Sequence, residues 1–250
     1  MQFINMLNEI RIGQCSARSL ALLDARRIKE TKEEAKDKTK EDNTKEIIPT
    51  RLFSHKKDVQ KENDEQLAAL TSDPVVFKAL DTGKPNYRKT LDHDCLALNT
   101  LVLKIGAQVI LLKNQKKLEG LAKGSRGVVI GFQKDPKRLT GQLPLIKFAN
   151  GMQRLIEWEP FKVMLGQKPI SCRTQLPLAL GWAITFHRAQ GMTLDRAEVT
   201  LAQCFEHGQI YVGLSRVRTL EGLSILSFNP AKVKAHPKVL AYHATFNNRS

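Results

Sequence analysis

Gln175–Ser227, QLPLALGWAITFHRAQGMTLDRAEVTLAQCFEHGQIYVGLSRVRTLEGLSILS, sets two polar clusters into an apolar frame. The first is ITFHRAQGMTL, where His187, Arg188, Gln190 and Gly191 interrupt the hydrophobic run Leu176 to Phe186. The second is GQIYVGLSRVR, which ends in Ser215, Arg216 and Arg218. Between and after them lie AEVTLA (Ala197 to Ala202) and LSILSF (Leu223 to Phe228), short β-prone runs of the kind that become buried strands. The stretch therefore reads as helix or turn, strand, helix, strand, the grammar of a parallel α/β sheet. Ligands of such sheets sit beyond the carboxyl ends of the strands and at helix starts, so polar residues in these connections are placed for a phosphate.

Upstream, Leu96 to Leu165 has a different texture. VLKIGAQVILLKNQ, GLAKGSRGVVIGF, LPLIKFANG and MQRLIEWEPFKV are apolar or alternating runs punctuated by Gly106, Gly124, Gly127, Gly131 and Gly151, a spacing that suits a small antiparallel barrel. Lys113, Asn114, Lys116, Lys117, Lys123, Arg126, Lys134, Lys137 and Arg138 fall in or beside its loops. Such loops grip single strands in many small barrels, and in a basic protein they are as readily plain solvated surface. IIPTRLFSHKKDVQKENDEQLAAL (Ile47 to Leu70) predicts a short strand through Arg51, Leu52 and Phe53 leading into a helix. Lys29 to Glu46 is nearly all charged, both signs mixed, with Ala35 its sole apolar residue; it reads as a linker or an exposed helix. Phe3 to Arg27 fits two short helices around Gly13, whose apolar faces need a partner.

The 250 residues allow one large or two ordinary domains, and 42% hydrophobic content supports a sizeable core. A formal net charge of +15 favours a polyanionic partner, nucleic acid first. Cys15, Cys95, Cys172 and Cys204 have no CxxC spacing and the six histidines no HExxH pattern, so neither a metal site nor a disulfide framework is implied. No apolar run reaches transmembrane length, and no membrane role is expected.

A helical reading of GWAITFHRAQGMTL puts Trp182, Phe186 and Ala189 on a packing side and Ala183, His187 and Gln190 on the other, with Gly191 permitting a close approach to a ligand. Alone, the pattern is more plainly an interior histidine and a helix-ending glycine. Arg216 follows an apolar helical run, where a planar, always charged donor can reach a phosphate; a surface ion pair is the plainer reading.

Five ordered blocks decide between these readings. TRLFSHKKDV, LKIGAQVILLKN, GLAKGSRGVVIGF, LPLALGWAITFHRAQGMTLDRAEV and GQIYVGLSRVRTLEGL resemble the C-terminal half of the petite integration frequency family of superfamily-one DNA helicases. The resemblance runs from about Phe3 to Phe246 and omits Lys29 to Glu46. It implies an α/β fold, a RecA-like parallel-sheet domain with an inserted small antiparallel β-barrel, in a motor that uses ATP and Mg2+ to move 5′ to 3′ on single-stranded DNA. On that pattern residues 1–28 are a helical remnant of the first RecA-like domain and 29–46 an insertion. Residues 47–95 and 169–250 form the second RecA-like domain and 96–168 the barrel. Arg216 matches the family's arginine finger, and Gln190 and Gly191 its nucleotide-facing residues. Thr185, His187 and Arg188 match its DNA-backbone contacts, with His55 and Asn114 as further DNA contacts. The family's usual Lys and Ser are Arg188 and Ala189 here, its Asn is Lys123, and its Ala is Gly213 and Val217.

No GxxxxGK[ST] occurs in the sequence, so the loop that cradles the phosphates is expected in the missing first RecA-like domain, supplied in cis or in trans. The chain alone is expected to bind ATP weakly or not at all, and Phe3 to Arg27 to be a tail whose apolar face has lost its partner. The alternative function is an ATP-independent single-stranded DNA-binding module. For a eukaryotic source the resemblance implies the nucleus, the mitochondrion or both, and work in repair, recombination or telomere maintenance.

Overall fold

A computed structural model describes residues 1–28, 47–83, 85–114, 120–137 and 141–247. The charged stretch Lys29 to Glu46 and the loop cations Lys116, Lys117 and Arg138 lie outside the described residues. In chain order the elements are α1 (Gln2–Arg11), α2 (Ala17–Asp24), β1 (Thr50–Phe53), α3 (Lys56–Ala69), β2 (Val75–Lys78), β3 (Leu80–Gly83), α4 (Pro85–Asp94), β4 (Thr100–Leu103), β5 (Gln108–Leu111), β6 (Arg126–Lys134), β7 (Gln142–Phe148), β8 (Gln153–Leu155), β9 (Glu159–Leu165), β10 (Lys168–Gln175), β11 (Leu178–Leu180), β12 (Ala183–Thr185), α5 (Phe186–Ala189), β13 (Ala197–Thr200), α6 (Gln209–Leu214), β14 (Leu223–Ser227) and α7 (Pro237–Asn247). They form two units, one of residues 1–28, 49–62 and 183–247, the other of residues 47–48 and 63–182.

The first unit is built on a parallel sheet of order β12-β1-β13-β14. Leu52, Val199, Leu223 and Ile225 are fully buried within it, and burial of each such side chain contributes about 1.5–3 kcal/mol. The helical reading of Trp182 to Gln190 is corrected here: Ala183–Thr185 is strand β12, paired with β1, and only Phe186–Ala189 is helical. Thr185 marks the change, its extended backbone ending the strand while its hydroxyl accepts from the Arg188 N–H at 3.3 Å.

The expected orphan tail is also corrected. Met6, Ile10 and Leu23 are buried, and α1 packs against α6. Past α2 the chain runs parallel to β14, with Ile225 N–H donating to the Arg26 carbonyl at 2.9 Å and Ile28 N–H to the Ile225 carbonyl at 3.0 Å. The apolar faces of the first two helices thus find their partner inside this unit.

The second unit holds three antiparallel groups: β11-β5-β6-β7-β8, β3-β10-β9, and the pair β2-β4. The strands read as one barrel form open sheets, since β11 and β8 are the edges of the larger sheet and no pairing among the described residues joins them. The β9–β10 hairpin explains the difference. It turns at Gly166, whose φ of 60° suits a two-residue loop, and its second strand pairs onward with β3. Leu101, Val109, Val129, Ile146 and Trp182 belong to this unit's core. Arg173, 1% exposed, clamps the smaller sheet through two hydrogen bonds to Asp81 at 2.8 and 2.7 Å, one to Asp92 at 2.6 Å and one to the Ala97 carbonyl at 3.2 Å.

Candidate nucleotide and nucleic-acid interface

The carboxyl ends of β1, β12 and β13 open on one edge of the first unit's sheet, because these strands are parallel. From β1 come Ser54 and His55; from β12, the α5 turn through Gly191; from β13, the loop Leu201 to Gly208 that enters α6. The expected residues of this edge are brought together as follows.

Thr185 is buried, and its hydroxyl is occupied in capping α5. Its part is to set the turn that presents His187, exposed, and Arg188, half-buried. His187 Nε2 lies 3.0 Å from a Glu206 carboxylate oxygen. Gln190 ends the turn, its N–H donating to the His187 carbonyl at 3.2 Å, and Gly191 follows with φ 73°, a conformation that a side chain disfavours. Phe186, His187, Gln190, Glu206, His207, Gln209 and Val212 line a pocket of about 60 Å³.

Arg216 does not project freely. Its Nε donates to the Val212 carbonyl at 3.0 Å and its Nη2 to the Ser215 hydroxyl at 2.8 Å, while Nη1 is 3.5 Å from the Met192 carbonyl. The backbone repeats this link: Leu194 N–H donates to the Arg216 carbonyl at 2.8 Å and Arg218 N–H to the Leu194 carbonyl at 3.0 Å. The guanidinium is therefore held beside the turn that carries Gln190 and Gly191. Arg218 forms an exposed ion pair with Asp195 at 3.4 Å; pairs of this kind contribute about 0–1 kcal/mol.

Asn114 belongs to the second unit, where its side-chain oxygen accepts from the Lys123 N–H at 2.6 Å. Several expected loop cations are locally engaged there. Lys113 pairs with Glu159 at 3.2 Å, Lys137 with Glu157 at 2.9 Å, and the buried Arg126 donates to the Ile48 carbonyl at 3.1 Å.

Three residues of the edge were absent from the sequence reading of contacts: Phe205, Glu206 and the side chain of Gln209. Gln209 is 4% exposed; its oxygen accepts from the N–H groups of Phe205 at 3.0 Å and Glu206 at 3.4 Å, and its buried Nε2 has no hydrogen-bond partner among the described residues. The Phe205 ring stacks on His55 with centroids 5.0 Å apart and planes at 10°. The rule that pointed to the first two connections, polar residues beyond a parallel strand, points equally to QCFEHG after β13.

The family model for the 2B domain of DNA helicase Pif1 matches residues 86–132. The mouse ATP-dependent DNA helicase PIF1 is 39% identical over 97% of this chain and 35% of its own length. The chain belongs to the Pif1 helicase family. Bacteroides Pif1 in complex with ADP-AlF4 superposes with a TM-score of 0.76 at 25% identity, covering 100% of this chain and 54% of that one. Bacteroides Pif1 with ADP-AlF3 and single-stranded DNA gives a TM-score of 0.65 at 25% identity, covering 100% and 54%. The chain thus spans about a third of the mouse Pif1 protein, 35%, and just over half of the solved Pif1 chains, 54%. The parallel sheet of the first unit is the RecA-like part of the Pif1 architecture, and the antiparallel sheets accompany it. No helix among the described residues is long and apolar enough to cross a membrane.

Proposed function

We propose that this chain is the C-terminal portion of an ATP-dependent DNA helicase that moves 5′ to 3′ on single-stranded DNA. One observation carries the reading: the Arg216 guanidinium lies beside the Met192 carbonyl, one residue past Gly191, in the connection between α5 and β13. Arg216 acts as the finger to the γ-phosphate, and Gln190 and Gly191 lie beside the nucleotide. The side chain fits that part: two of its nitrogens are anchored, while Nη1 makes only a long contact and remains the donor for a phosphate oxygen. When bound, ATP with Mg2+ supplies the phosphoryl group to be cleaved. The phosphate-cradling lysine and the metal ligands are assigned to a first RecA-like domain, because no GxxxxGK[ST] stands in these 250 residues.

His187, Arg188 and His55 hold the DNA backbone, with Thr185 setting the turn of the first two. The second unit, with Asn114, is an antiparallel accessory to the DNA track. The work of the whole protein is repair, recombination or telomere maintenance, and for a eukaryotic source its place is the nucleus, the mitochondrion or both. Support comes from the names of the relatives, ATP-dependent DNA helicases, and from a relative solved with a phosphoryl mimic and single-stranded DNA. The net charge of +15 beside the missing phosphate loop favours a second reading, an ATP-independent single-strand binder.

ATP hydrolysis by the 250-residue chain, with and without single-stranded DNA, and DNA binding at two salt concentrations test the proposal. The expected result is salt-sensitive DNA binding without hydrolysis, and restored DNA-stimulated hydrolysis once a P-loop domain is supplied. Failure to restore hydrolysis with binding intact favours the second reading. DNA-stimulated hydrolysis by the chain alone overturns the assignment of the phosphate cradle to another domain.

A further inference from the structure

The loop from Leu201 to Gly208 treats its apolar residues unequally. Leu201 and Cys204 are buried at 0% and 1% exposure, whereas Phe205 is 58% exposed. Leaving a phenyl ring in water forgoes the stabilisation its burial would bring, and the ring's position is not that of a loose loop tip. The buried Gln209 side chain accepts from the N–H groups of Phe205 and Glu206 and so fixes the backbone on which the ring stands. On the other side the His55 imidazole stacks nearly parallel to the ring.

Exposed cations stand on the segments around this pair. Lys56 and Lys57 follow His55 into α3, and Lys232 and Lys234 follow β14; the Gly208 N–H donates to the Lys234 carbonyl at 2.8 Å. His187 is linked to the same loop through Glu206. An outward aromatic ring with a stacked partner and flanking cations matches what a single strand offers: an unpaired base face beside a phosphate backbone. A duplex hides those faces, so the same surface selects for single strands.

We infer that Phe205, backed by His55, is a base-stacking platform for single-stranded DNA. The inference rests on the proposed reading of this edge as a DNA surface and adds to it a residue that meets the base. Stacking of this kind tolerates every base because each has a π-face, so the platform slides along a strand without reading its sequence.

The test uses the whole 250-residue chain, with circular dichroism confirming the fold of each variant. Binding is measured by fluorescence anisotropy against an oligodeoxythymidine and against an abasic strand of the same length and charge. The wild-type chain is expected to prefer the base-bearing strand. Phe205→Ala is expected to weaken binding to that strand by about 5- to 100-fold, leave the abasic strand unaffected, and so erase the preference. Phe205→Trp is expected to restore it, with quenching of a 2-aminopurine placed in the strand. Equal wild-type affinity for both strands overturns the platform and leaves the DNA surface standing. Equal losses on both strands in Phe205→Ala overturn it too, as does capture of a protein partner by Phe205 without base-dependent DNA binding. No DNA binding by the wild-type chain overturns the underlying reading and the platform together.

Discussion

Replacing Arg173 by alanine takes away the cation around which the smaller sheet of the second unit is arranged. Arg173 is 1% exposed, and its guanidinium makes two hydrogen bonds to Asp81 and one to Asp92. The two carboxylates are unequal: the Asp81 side chain is 20% exposed and that of Asp92 is 65% exposed. Without Arg173, Asp92 regains water at little cost. Asp81 loses both bonds in a site that water reaches poorly, and the Ala97 carbonyl loses a donor. Removing one partner of a buried pair costs about 3–5 kcal/mol, and Asp81 places Arg173→Ala in that range. Asp92→Ala leaves Arg173 paired with Asp81 and is expected to cost about 1 kcal/mol or less. Both tryptophans of the chain, Trp158 and Trp182, belong to the second unit, so tryptophan fluorescence during urea unfolding reports on that unit. A loss below about 1 kcal/mol in Arg173→Ala, or equal losses in the two variants, would refute the reasoning.

In Gly213→Ala the new Cβ would meet the Phe186 ring; a loss of stability is expected in thermal unfolding, relieved when Phe186 is also changed to Leu. Glu9 accepts from the Ser19 hydroxyl at 2.7 Å and the Ser16 N–H at 3.0 Å, which holds its carboxyl below the ordinary 4.5. Its folded value is the depressed one, so the stabilising contribution is present above 4.5 and is lost as pH falls through the folded value; Glu9→Gln should flatten that acid-side loss in a pH series of melting temperatures. Burial pushes the Cys204 thiol up against a weaker opposing hydrogen bond from Ser54, so alkylation at pH 8 is expected to be slow until denaturant opens the unit, as mass spectrometry can follow.

The parallel sheet was legible because its strands are short runs in which every second residue is buried, Leu52, Val199 and Ile225 among them. Thr50–Phe53, Ala197–Thr200 and Leu223–Ser227 stand where the apolar runs predict them. Ala183–Thr185 was hidden because no turn residue separates it from Phe186–Ala189, so strand and helix merge into one apolar run. The open sheets of the second unit depend on pairings across long separations, such as Leu178 with Leu111, which periodicity within a segment does not encode. Arg216 was found by its motif, yet its tether to Val212 and Ser215 comes from the shape of the α6 exit. Phe205 and Glu206 lie outside every motif block; their place follows only from the loop that Gln209 holds.

The most direct test of the central claim is ATP hydrolysis by a reconstituted full-length helicase carrying Arg216→Ala, with single-stranded DNA affinity measured alongside. An arginine finger predicts that hydrolysis falls by about 10³- to 10⁵-fold while DNA affinity stays nearly unchanged. Hydrolysis near the wild-type rate, or a large loss of DNA affinity, would contradict it.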